Sequence, residues 1–535
     1  MTVERPVVLH PYLFGLFPIL FLSAQNAGEM RLRDLVGPLG LTLLVTFLAM
    51  TVLTRVCRSA DKAGMIVSTL LLLFFSYGYV FHLLQLRTEQ LQTSRSHLAM
   101  LLGSALVFFV VLRMLQALGD RAKQLTPLLN FVAAGLVLVQ VGTAGVALWG
   151  RQSLQNRGAD LETALGTAEE TPDIFFVLLD GYARQDVLAD LYEFDNRPFL
   201  DALEKQGFEV AKDSRAPYVQ TLLSLAAIFN LDYLAGFAPD LDPESDDRVG
   251  LAESIWNSTA IRSLEARGYS TASFATGYTM TEFRSADRYL VPGDNLSEFS
   301  RLLISTTLLQ VIVDSGSQAE RQRHRIEYVL RTLPELRGTD RPLFILAHIV
   351  APHPPFVFGE DADGGPGSRW FGMADGSHRM VSEKERAQYR QRYIRQLEAV
   401  NGLVLDAVGE LLARPEGQRP VIVLASDHGP GSELRWYSEE ETNLRERLAS
   451  VFAIYFPNDA TDEPLREPTT PVNTFRMIFN RYLGADYSLL PARSFYSTWE
   501  EPFQFSEIEE SELQIDHPPT RTQESPGTSK ILRVE

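Results

Sequence analysis

The first 150 residues are dominated by long apolar runs separated by short polar segments. The runs cover residues 9–27, 36–54, 64–86, 98–118 and 125–149. Each approaches the roughly 20 residues that a helix needs to cross the hydrocarbon core of a bilayer. The pattern therefore predicts an α-helical membrane domain of five transmembrane helices over residues 1–150.

The pattern changes after residue 150. Residues 151–171 are polar and are interpreted as a linker. Over residues 172–500, short apolar runs such as "IFFVLL", "LFILA" and "VIVLA" alternate with segments of helical periodicity. Continuous apolar runs are typical of central parallel strands, and their alternation with helices predicts an α/β domain with a mainly parallel sheet. Residues 501–535 form an acidic polar tail, predicted to be partly disordered.

Loop charges predict how the membrane domain is oriented. Arg55, Arg58 and Lys62 lie between the second and third apolar runs, and Arg121 and Lys123 lie between the fourth and fifth. Basic loops favour the cytoplasmic side. Five crossings from a cytoplasmic N-terminus place the α/β domain outside, so we predict a multi-pass protein of the cytoplasmic (inner) membrane with an extracytoplasmic domain.

Charge divides the chain in the same way. Residues 1–150 hold 11 lysines and arginines against 6 acidic residues, a net charge of +5, and the remaining 385 residues hold 38 against 61, a net charge of −23. An acidic soluble part argues against nucleic acid as a partner. The single cysteine, Cys57, lies in the membrane part, so the chain cannot form a disulfide within itself.

Acidic and histidine side chains follow three of the predicted strands. Asp180 ends the first of them, His348 and His353 follow the second, and Asp427 and His428 follow the third. Ligands of open α/β sheets bind outside the carboxyl ends of the strands. We therefore expect these five side chains to meet at one edge of the sheet.

A hydroxyl residue completes the predicted constellation. Thr221 or Ser224 lies near the start of a predicted helix, where the helix dipole and free N–H groups favour negative charge. Carboxylates, an imidazole and a hydroxyl suit one divalent metal, zinc or manganese. A metal-activated hydroxyl is a nucleophile at neutral pH, and His348 or His353 would bind the substrate or protonate the leaving group. The residues thus predict displacement at phosphorus or sulfur through a covalent intermediate.

Four motifs in this order, "FVLLDG", "YVQTLLSL", "HIVAPHPPF" and "SDHG", resemble the alkaline phosphatase superfamily in its sulfatase-like branch. The five predicted membrane helices extend the resemblance to phosphoethanolamine transferases and lipoteichoic acid synthases. It covers residues 171–490 for the fold. It implies one zinc or manganese ion, Thr221 as nucleophile, a substrate-binding histidine at His348 or His353, and the metal ligands Asp180, Thr221, Asp427 and His428.

The chain also departs from these families. Neither Thr221 nor Ser224 stands in the Cys/Ser-x-Pro-x-Arg context that formylglycine sulfatases need. The soluble part has no cysteine, and no further histidine follows Asp427 and His428 closely. The particular head group and a second metal are therefore left open.

Three functions fit the sequence. The first is a membrane-anchored transferase that moves a phosphorylated head group from a lipid, through Thr221, to an envelope glycan or lipid. The second is a hydrolase of phosphate or sulfate esters. The third is a non-catalytic envelope protein that retains the fold. The sequence predicts no particular oligomeric state.

Overall fold

The computed structural model describes residues 7–25, 33–87, 93–149, 171–292, 298–309, 317–359, 375, 377, 380, 382–457 and 465–513. Residues 151–170 of the predicted linker (151–171) and residues 514–535 of the predicted tail lie outside the described residues. The described part of the first 150 residues forms five α-helices: α1 (His10–Gln25), α2 (Arg33–Cys57), α3 (Ala60–Arg87), α4 (Thr93–Leu118) and α5 (Thr126–Trp149).

Four of these helices, α2 to α5, are long and apolar enough to cross a membrane. The apolar side chains along them are largely exposed, as lipid-facing side chains are. Helix α1 has only 16 residues and spans about 24 Å, less than the ~30 Å hydrocarbon core. The helical N-terminal region with four candidate membrane spans is confirmed, whereas the multi-pass topology, the fifth crossing and the orientation of the bundle remain predictions.

The α/β domain is built on a seven-stranded sheet with helices on both faces. Its strands are β1 (Ile174–Leu179), β2 (Glu209–Val210), β3 (Ser270–Phe274), β4 (Arg288–Leu290), β5 (Leu343–Ile349), β6 (Val421–Ala425) and β7 (Phe452–Tyr455). Its helices are α6 (Gln185–Tyr192), α7 (Arg197–Lys205), α8 (Thr221–Phe229), α9 (Leu234–Phe237), α10 (Arg248–Trp256), α11 (Thr259–Ala266), α12 (Glu298–Thr306), α13 (Ser317–Thr332), α14 (Glu383–Leu412), α15 (Leu444–Leu448) and α16 (Thr474–Tyr482).

The strand order is β2-β7-β6-β1-β5-β3-β4. Strand β1 pairs in parallel with β5 and β6, and β3 pairs in parallel with β4 and β5. Only β7 breaks the pattern, since it pairs antiparallel with both β6 and β2. The prediction of a mainly parallel sheet is confirmed, and β1, β5 and β6 end side by side at one edge.

Strand β1 shows why the apolar runs are continuous. Ile174, Phe176 and Leu178 belong to the core on one face of the sheet, and the intervening Phe175 and Leu179 belong to the core on the other face. Successive side chains of a strand point to opposite faces, so a strand covered on both faces must be apolar at every position. The sheet thereby buries β1 at the centre of the domain.

The predicted tail begins with residues that fold onto the domain. A two-stranded sheet pairs β8 (Phe495–Tyr496) with β9 (Ser506–Glu507). Phe503, Ile508 and Leu513 are buried although their neighbours are acidic and polar. The packed part of the domain therefore extends past residue 500.

Candidate active site

The first acidic residue stands at the end of β1. Asp180 is buried, and its backbone N–H donates to the carbonyl of Ile349 at the end of β5. Gly181 follows with a positive φ of 72°, and a Cβ there would lie 3.3 Å from Cβ of His353. The Asp-Gly pair is thus required by a left-handed backbone and by the close approach of the loop after β5.

The loop after β6 places Asp427 and His428 beside Asp180. Ser426 ties this turn together, because its Oγ donates to the carbonyl of His428 at 2.6 Å and accepts from the N–H of Tyr182 at 2.8 Å. A Cβ on Gly429 would lie 2.0 Å from the carbonyl oxygen of Glu446, so only glycine fits. The "SDHG" turn is therefore held from both sides.

The ring of His428 is oriented by its own backbone. Nδ1 lies 2.9 Å from the carbonyl oxygen of Gly429, which can only accept a hydrogen bond, so Nδ1 carries the proton. Nε2 then keeps its lone pair. It lies 3.2 Å from Oδ2 of Asp427 and 3.7 Å from Oδ1 of Asp180. Three electron-pair donors therefore face one another inside the protein.

This arrangement fits a divalent cation. Ligand atoms of Asp180, Asp427 and His428 all lie within 4.8 Å of one another. Oδ1 of Asp180 and Oδ2 of Asp427 are buried, and neither has a hydrogen-bond partner among the described residues. Buried carboxylate oxygens without a partner are costly unless a cation compensates them. The donor set suits zinc and also manganese, so it does not distinguish the two.

Burial and neighbouring charges set the pKa values of the three groups. Burial alone would raise the pKa of Asp180, but the imidazoles of His353, His348 and His428 hold it below its ordinary value. Burial and the charge of Asp180 raise the pKa of Asp427 to about 6. Burial, followed by the charge of Arg447, holds the pKa of His428 well below its ordinary value. His428 is therefore neutral at neutral pH, as a metal ligand must be.

Thr221 is the first residue of α8 and lies next to this cluster. Its Oγ1 is 3.0 Å from Nε2 of His428. The first N–H groups of a helix have no partner within the helix, so they are available to an anion bound in front of Thr221. Ser224 lies elsewhere, because it is fully buried and its Oγ donates to the carbonyl of Tyr218 at 3.0 Å. Only the first of the two hydroxyl candidates meets the acidic cluster.

The two predicted substrate histidines occupy different positions. His348 is buried in β5, and its Nε2 lies 3.0 Å from Oδ2 of Asp180, so it orients that carboxylate. His353 is also buried, and its Nδ1 lies 2.5 Å from the carbonyl oxygen of Pro354. The His353 ring centre is 6.1 Å from that of His428, and among the described residues Nε2 of His353 has no hydrogen-bond partner. The substrate-binding role remains a prediction for both, and the geometry favours His353.

Two polar residues on α14 hold the loops of the site, and the sequence alone did not single them out. The hydroxyl of Tyr393 donates to the carbonyl of Gly181 at 2.9 Å and accepts from the N–H of Ala183 at 3.0 Å. Gln396 donates to the carbonyl of His353 at 2.9 Å and accepts from the N–H of Val357 at 2.7 Å. Both residues lie on the buried face of α14. A polar residue at a buried position of a helix is the sequence signal that could have indicated their role.

Arg447 connects the segment before Thr221 with the loop that carries Asp427 and His428. It is buried on α15, its Nε donates to the carbonyl of Val219 at 2.9 Å, and its Nη1 donates to the carbonyl of Gly429 at 3.0 Å. The Gly429 carbonyl also accepts from Nδ1 of His428. Arg447 therefore fixes the group that orients His428. The nearby Arg445 instead pairs with Asp186 and Asp190 away from the site.

Replacing Arg447 with methionine should weaken metal binding roughly 10- to 100-fold, because residues that orient a ligand typically contribute that much. Affinity is measured by competition with a chromophoric chelator on the purified full-length chain. Arg445→Met is the matched control, since it removes an arginine of the same short helix that does not contact the site. Equal affinities in Arg447→Met and the wild type would contradict the positioning role.

Comparison with known proteins identifies the family of the α/β domain. The sulfatase family profile matches residues 172–480, which is more than half of the chain and contains all the residues placed at the site. No curated protein matches the sequence. The match begins two residues before β1 and ends within α16, so it covers the α/β domain and not the membrane helices.

Several solved structures are similar to the α/β domain. The C-terminal periplasmic domain of EptC from Escherichia coli, in complex with zinc, is 13% identical and has a TM-score of 0.38, covering 63% of this chain and 89% of that chain. The corresponding domain of the phosphoethanolamine transferase EptC from Campylobacter jejuni is 12% identical, with a TM-score of 0.35 and coverages of 61% and 93%. A 2-O GAG sulfatase is 13% identical, with a TM-score of 0.37 and coverages of 62% and 78%. Because these TM-scores are low, the profile match is the comparison that bears on the family.

Proposed function

Since the chain belongs to the sulfatase family, in the sulfatase-like branch of the alkaline phosphatase superfamily, we propose that it is a membrane-anchored transferase of phosphorylated head groups. It would take the head group from a membrane phospholipid, hold it on Thr221, and pass it to a glycan or lipid of the cell envelope. The enzyme class, a sulfatase-like phospho- or sulfo-group transferase or hydrolase, follows from the family. The lipid donor, the acceptor and the threonine intermediate are the proposal.

One observation supports the proposal most strongly. Oγ1 of Thr221 lies at the N-terminus of α8 and 3.0 Å from Nε2 of His428, beside two buried carboxylate oxygens that have no partner among the described residues. A hydroxyl in this position has ligand atoms on one side and free helix N–H groups on the other. This is the arrangement that a nucleophile for a phosphorus centre requires.

The cofactor would be one divalent cation, zinc or manganese, held by Asp180, Asp427, His428 and Thr221. When bound, it would lower the pKa of the Thr221 hydroxyl and neutralise negative charge on the substrate. His348 keeps Oδ2 of Asp180 occupied, so that Oδ1 is presented to the site.

The reaction would proceed in two displacements. The alkoxide oxygen of Thr221, whose proton has been lost to solvent, bonds to phosphorus while the bond from phosphorus to the diacylglycerol oxygen breaks. The N–H groups at the start of α8 stabilise the charge that develops on the phosphoryl oxygens. His353, in its protonated form, donates from Nε2 to the leaving diacylglycerol oxygen, and then takes a proton from the acceptor hydroxyl as that hydroxyl displaces Thr221. The second displacement releases Thr221 as the alkoxide and leaves His353 protonated, so both residues are ready for the next cycle.

The membrane helices favour a lipid donor. A single helix would anchor the domain, whereas the described residues contain four helices that are long and apolar enough to cross the bilayer. A hydrolase remains the second candidate, because the sulfatase family match supports ester hydrolysis equally. The two candidates share the first displacement and differ in whether water or an envelope hydroxyl accepts the group.

A transfer assay distinguishes the two candidates. The full-length chain, loaded with zinc or manganese, is reconstituted in vesicles whose phosphatidylethanolamine or phosphatidylglycerol carries a radiolabelled head group, and an extract of envelope glycolipids is added. The transferase predicts label in the glycolipid fraction together with an equal amount of diacylglycerol. Diacylglycerol with only free water-soluble label would indicate the hydrolase. Failure of both metals to produce diacylglycerol from either lipid would overturn the lipid-donor proposal.

A further inference from the structure

One segment of the α/β domain leaves the sheet and reaches the membrane helices. Strand β4 is parallel to β3 and ends at Leu290. Its end lies at the edge of the sheet where β1 and β6 also end and where Asp180 and Asp427 follow them. Further along the chain, residues 298–309 comprise α12 and the turn after it. We call these residues the docking arm. They pack against α2 and α3.

The contacts of the docking arm lie at one end of the helical bundle. Phe299 and Leu303 are buried in one apolar cluster with residues of α1, α2 and α3: Ile19, Leu22, Leu35 and Phe75. These residues come from the last part of α1, the first turn of α2 and the second half of α3. The cluster therefore marks the end of the bundle at which α1 ends and α2 begins.

The last membrane helix, α5, also finishes at this end of the bundle, so the chain leaves the bundle toward the α/β domain there. Oγ1 of Thr126, at the start of α5, donates to Asp61 at the start of α3 at 2.6 Å. Asn130 of α5 accepts from the N–H of His10 at the start of α1 at 2.8 Å. Helix α5 thus begins at the opposite end of the bundle and finishes, at Trp149, on the side of the docking arm.

Helix α3 contacts the docking arm closely at Gly78 and Phe74, and we call this contact the seat of the arm. A Cβ on Gly78 would lie 2.1 Å from the carbonyl oxygen of Ser305, so glycine is needed for the two backbones to approach. The N–H of Leu308 donates to the carbonyl of Phe74, one turn earlier on α3, at 2.9 Å. This backbone contact joins the two parts of the chain independently of the apolar cluster.

Two leucines of the arm remain exposed beside the membrane helices. Leu302 is 39% exposed and Leu309 is 42% exposed, whereas Phe299 and Leu303 on the same arm are buried. The surfaces of α2, α3 and α4 carry many exposed apolar side chains that a bilayer would cover. Exposed leucines continuous with such a surface are stabilised by the apolar side of the interface.

We propose that residues 298–309 are a membrane-docking arm, which holds the catalytic edge of the sheet against the outer end of the helices and places Leu302 and Leu309 in the bilayer interface. The partner of this surface is the lipid bilayer itself, whatever its head groups. The role concerns placement of the domain, so it does not depend on the reaction assigned to Thr221.

Spin labelling tests the arm, and the chain suits the method because Cys57 is its only cysteine. In a Cys57→Ser background, Leu302→Cys and Leu309→Cys are labelled in the full-length chain and reconstituted in nanodiscs of phosphatidylethanolamine and phosphatidylglycerol. Glu204→Cys is the control. Glu204 is exposed on α7, which packs beside β2, and β2 is the outermost strand on the side of the sheet opposite β4. Labels at 302 and 309 should collide more with oxygen than with a water-soluble nickel chelate, and the label at 204 should do the reverse. Labels at 302 and 309 that behave like the one at 204 would overturn the proposal.

A second pair of variants tests the seat on α3. Gly78→Leu should displace the arm and bring the label at 302 into water, because there is no room for a side chain at this contact. Gly103→Leu, on α4, is the matched control, since a Cβ there would meet nothing within 4 Å. An unchanged label depth in Gly78→Leu would contradict docking on α3, and a change in Gly103→Leu would show that the effect is not specific to the seat.

Discussion

Thr221→Ala is expected to reduce head-group release from the lipid on the order of 10⁴-fold or more, the loss that follows removal of a nucleophile in other covalent enzymes. The hydroxyl of Thr221 is the one candidate nucleophile that lies beside the acidic cluster, 3.0 Å from Nε2 of His428. Ser224, the other hydroxyl candidate, is turned into the core of the domain and is not placed to replace it. The measurement is the rate of diacylglycerol formation by the metal-loaded protein in vesicles.

Two further variants make this result specific. Thr221→Ser keeps a hydroxyl at the same helix terminus and should retain activity that Thr221→Ala lacks. Ser224→Ala removes a hydroxyl three residues away that only bonds the carbonyl of Tyr218, so it should cost about 1 kcal/mol of stability and leave the rate nearly unchanged. Loss of activity in Ser224→Ala with normal activity in Thr221→Ala would show that the nucleophile is misassigned.

Removal of the divalent metal is expected to lower the unfolding temperature of the α/β domain by several degrees. The metal-free site leaves the buried carboxylates of Asp180 and Asp427 close together without compensation. A ligand that binds only the folded state stabilises it by about 2.7 kcal/mol at a free concentration 100 times its Kd. For a domain of about 340 residues such a free-energy change corresponds to a shift of roughly 4 °C. Thermal unfolding of the full-length chain, with metal and with chelator, measures the shift.

Asp427→Asn should abolish this metal dependence. The substitution removes one negative charge from the cluster, so the metal-free variant should be at least as stable as the metal-free wild type while gaining nothing from zinc or manganese. Asp201→Asn is the matched control, because Asp201 is an exposed carboxylate on α7 and its loss should leave the metal response intact. A metal shift in Asp427→Asn as large as in the wild type would place the metal elsewhere.

Much of this site follows from the order of apolar runs along the chain. Strands β1 and β6 are apolar at every position because both of their faces are covered, and β5 is apolar except at His348. Asp180 follows β1 directly, and Asp427 follows β6 after one residue. Parallel pairing then brings Asp180, His348 and Asp427 to the same edge. Local sequence and one rule about sheets were sufficient for this part.

Other features depend on contacts that no local pattern encodes. Tyr393 and Gln396 sit on the same buried face of α14 as Leu397 and Val400, and only the folded loops show why those positions are polar. His348 follows the apolar run as closely as Asp180 does, yet its orientation toward Asp180 depends on the pairing of β1 with β5. The packing of Phe503, Ile508 and Leu513 in the first part of the predicted tail likewise depends on tertiary contacts.

The contact between the docking arm and the membrane helices could not be predicted from the local sequence either. The sequence of its helix α12, "EFSRLLIST", has the periodicity of an ordinary amphipathic helix. The partner surface is built from α1, α2 and α3, which lie more than 200 residues earlier in the chain. The shared apolar cluster and the close approach at Gly78 show that the apolar face of α12 belongs to the membrane domain rather than to the sheet.

The covalent threonine intermediate is the central claim, and mass spectrometry tests it most directly. The full-length wild type and Thr221→Ala are incubated with phospholipid and divalent metal, quenched in acid, and compared as intact proteins and as peptides. The account predicts a mass increment of one phosphorylated head group on the peptide that contains Thr221, absent from the variant, and the size of the increment identifies the donor. A head-group increment on a different residue, or the same increment in Thr221→Ala, would contradict it.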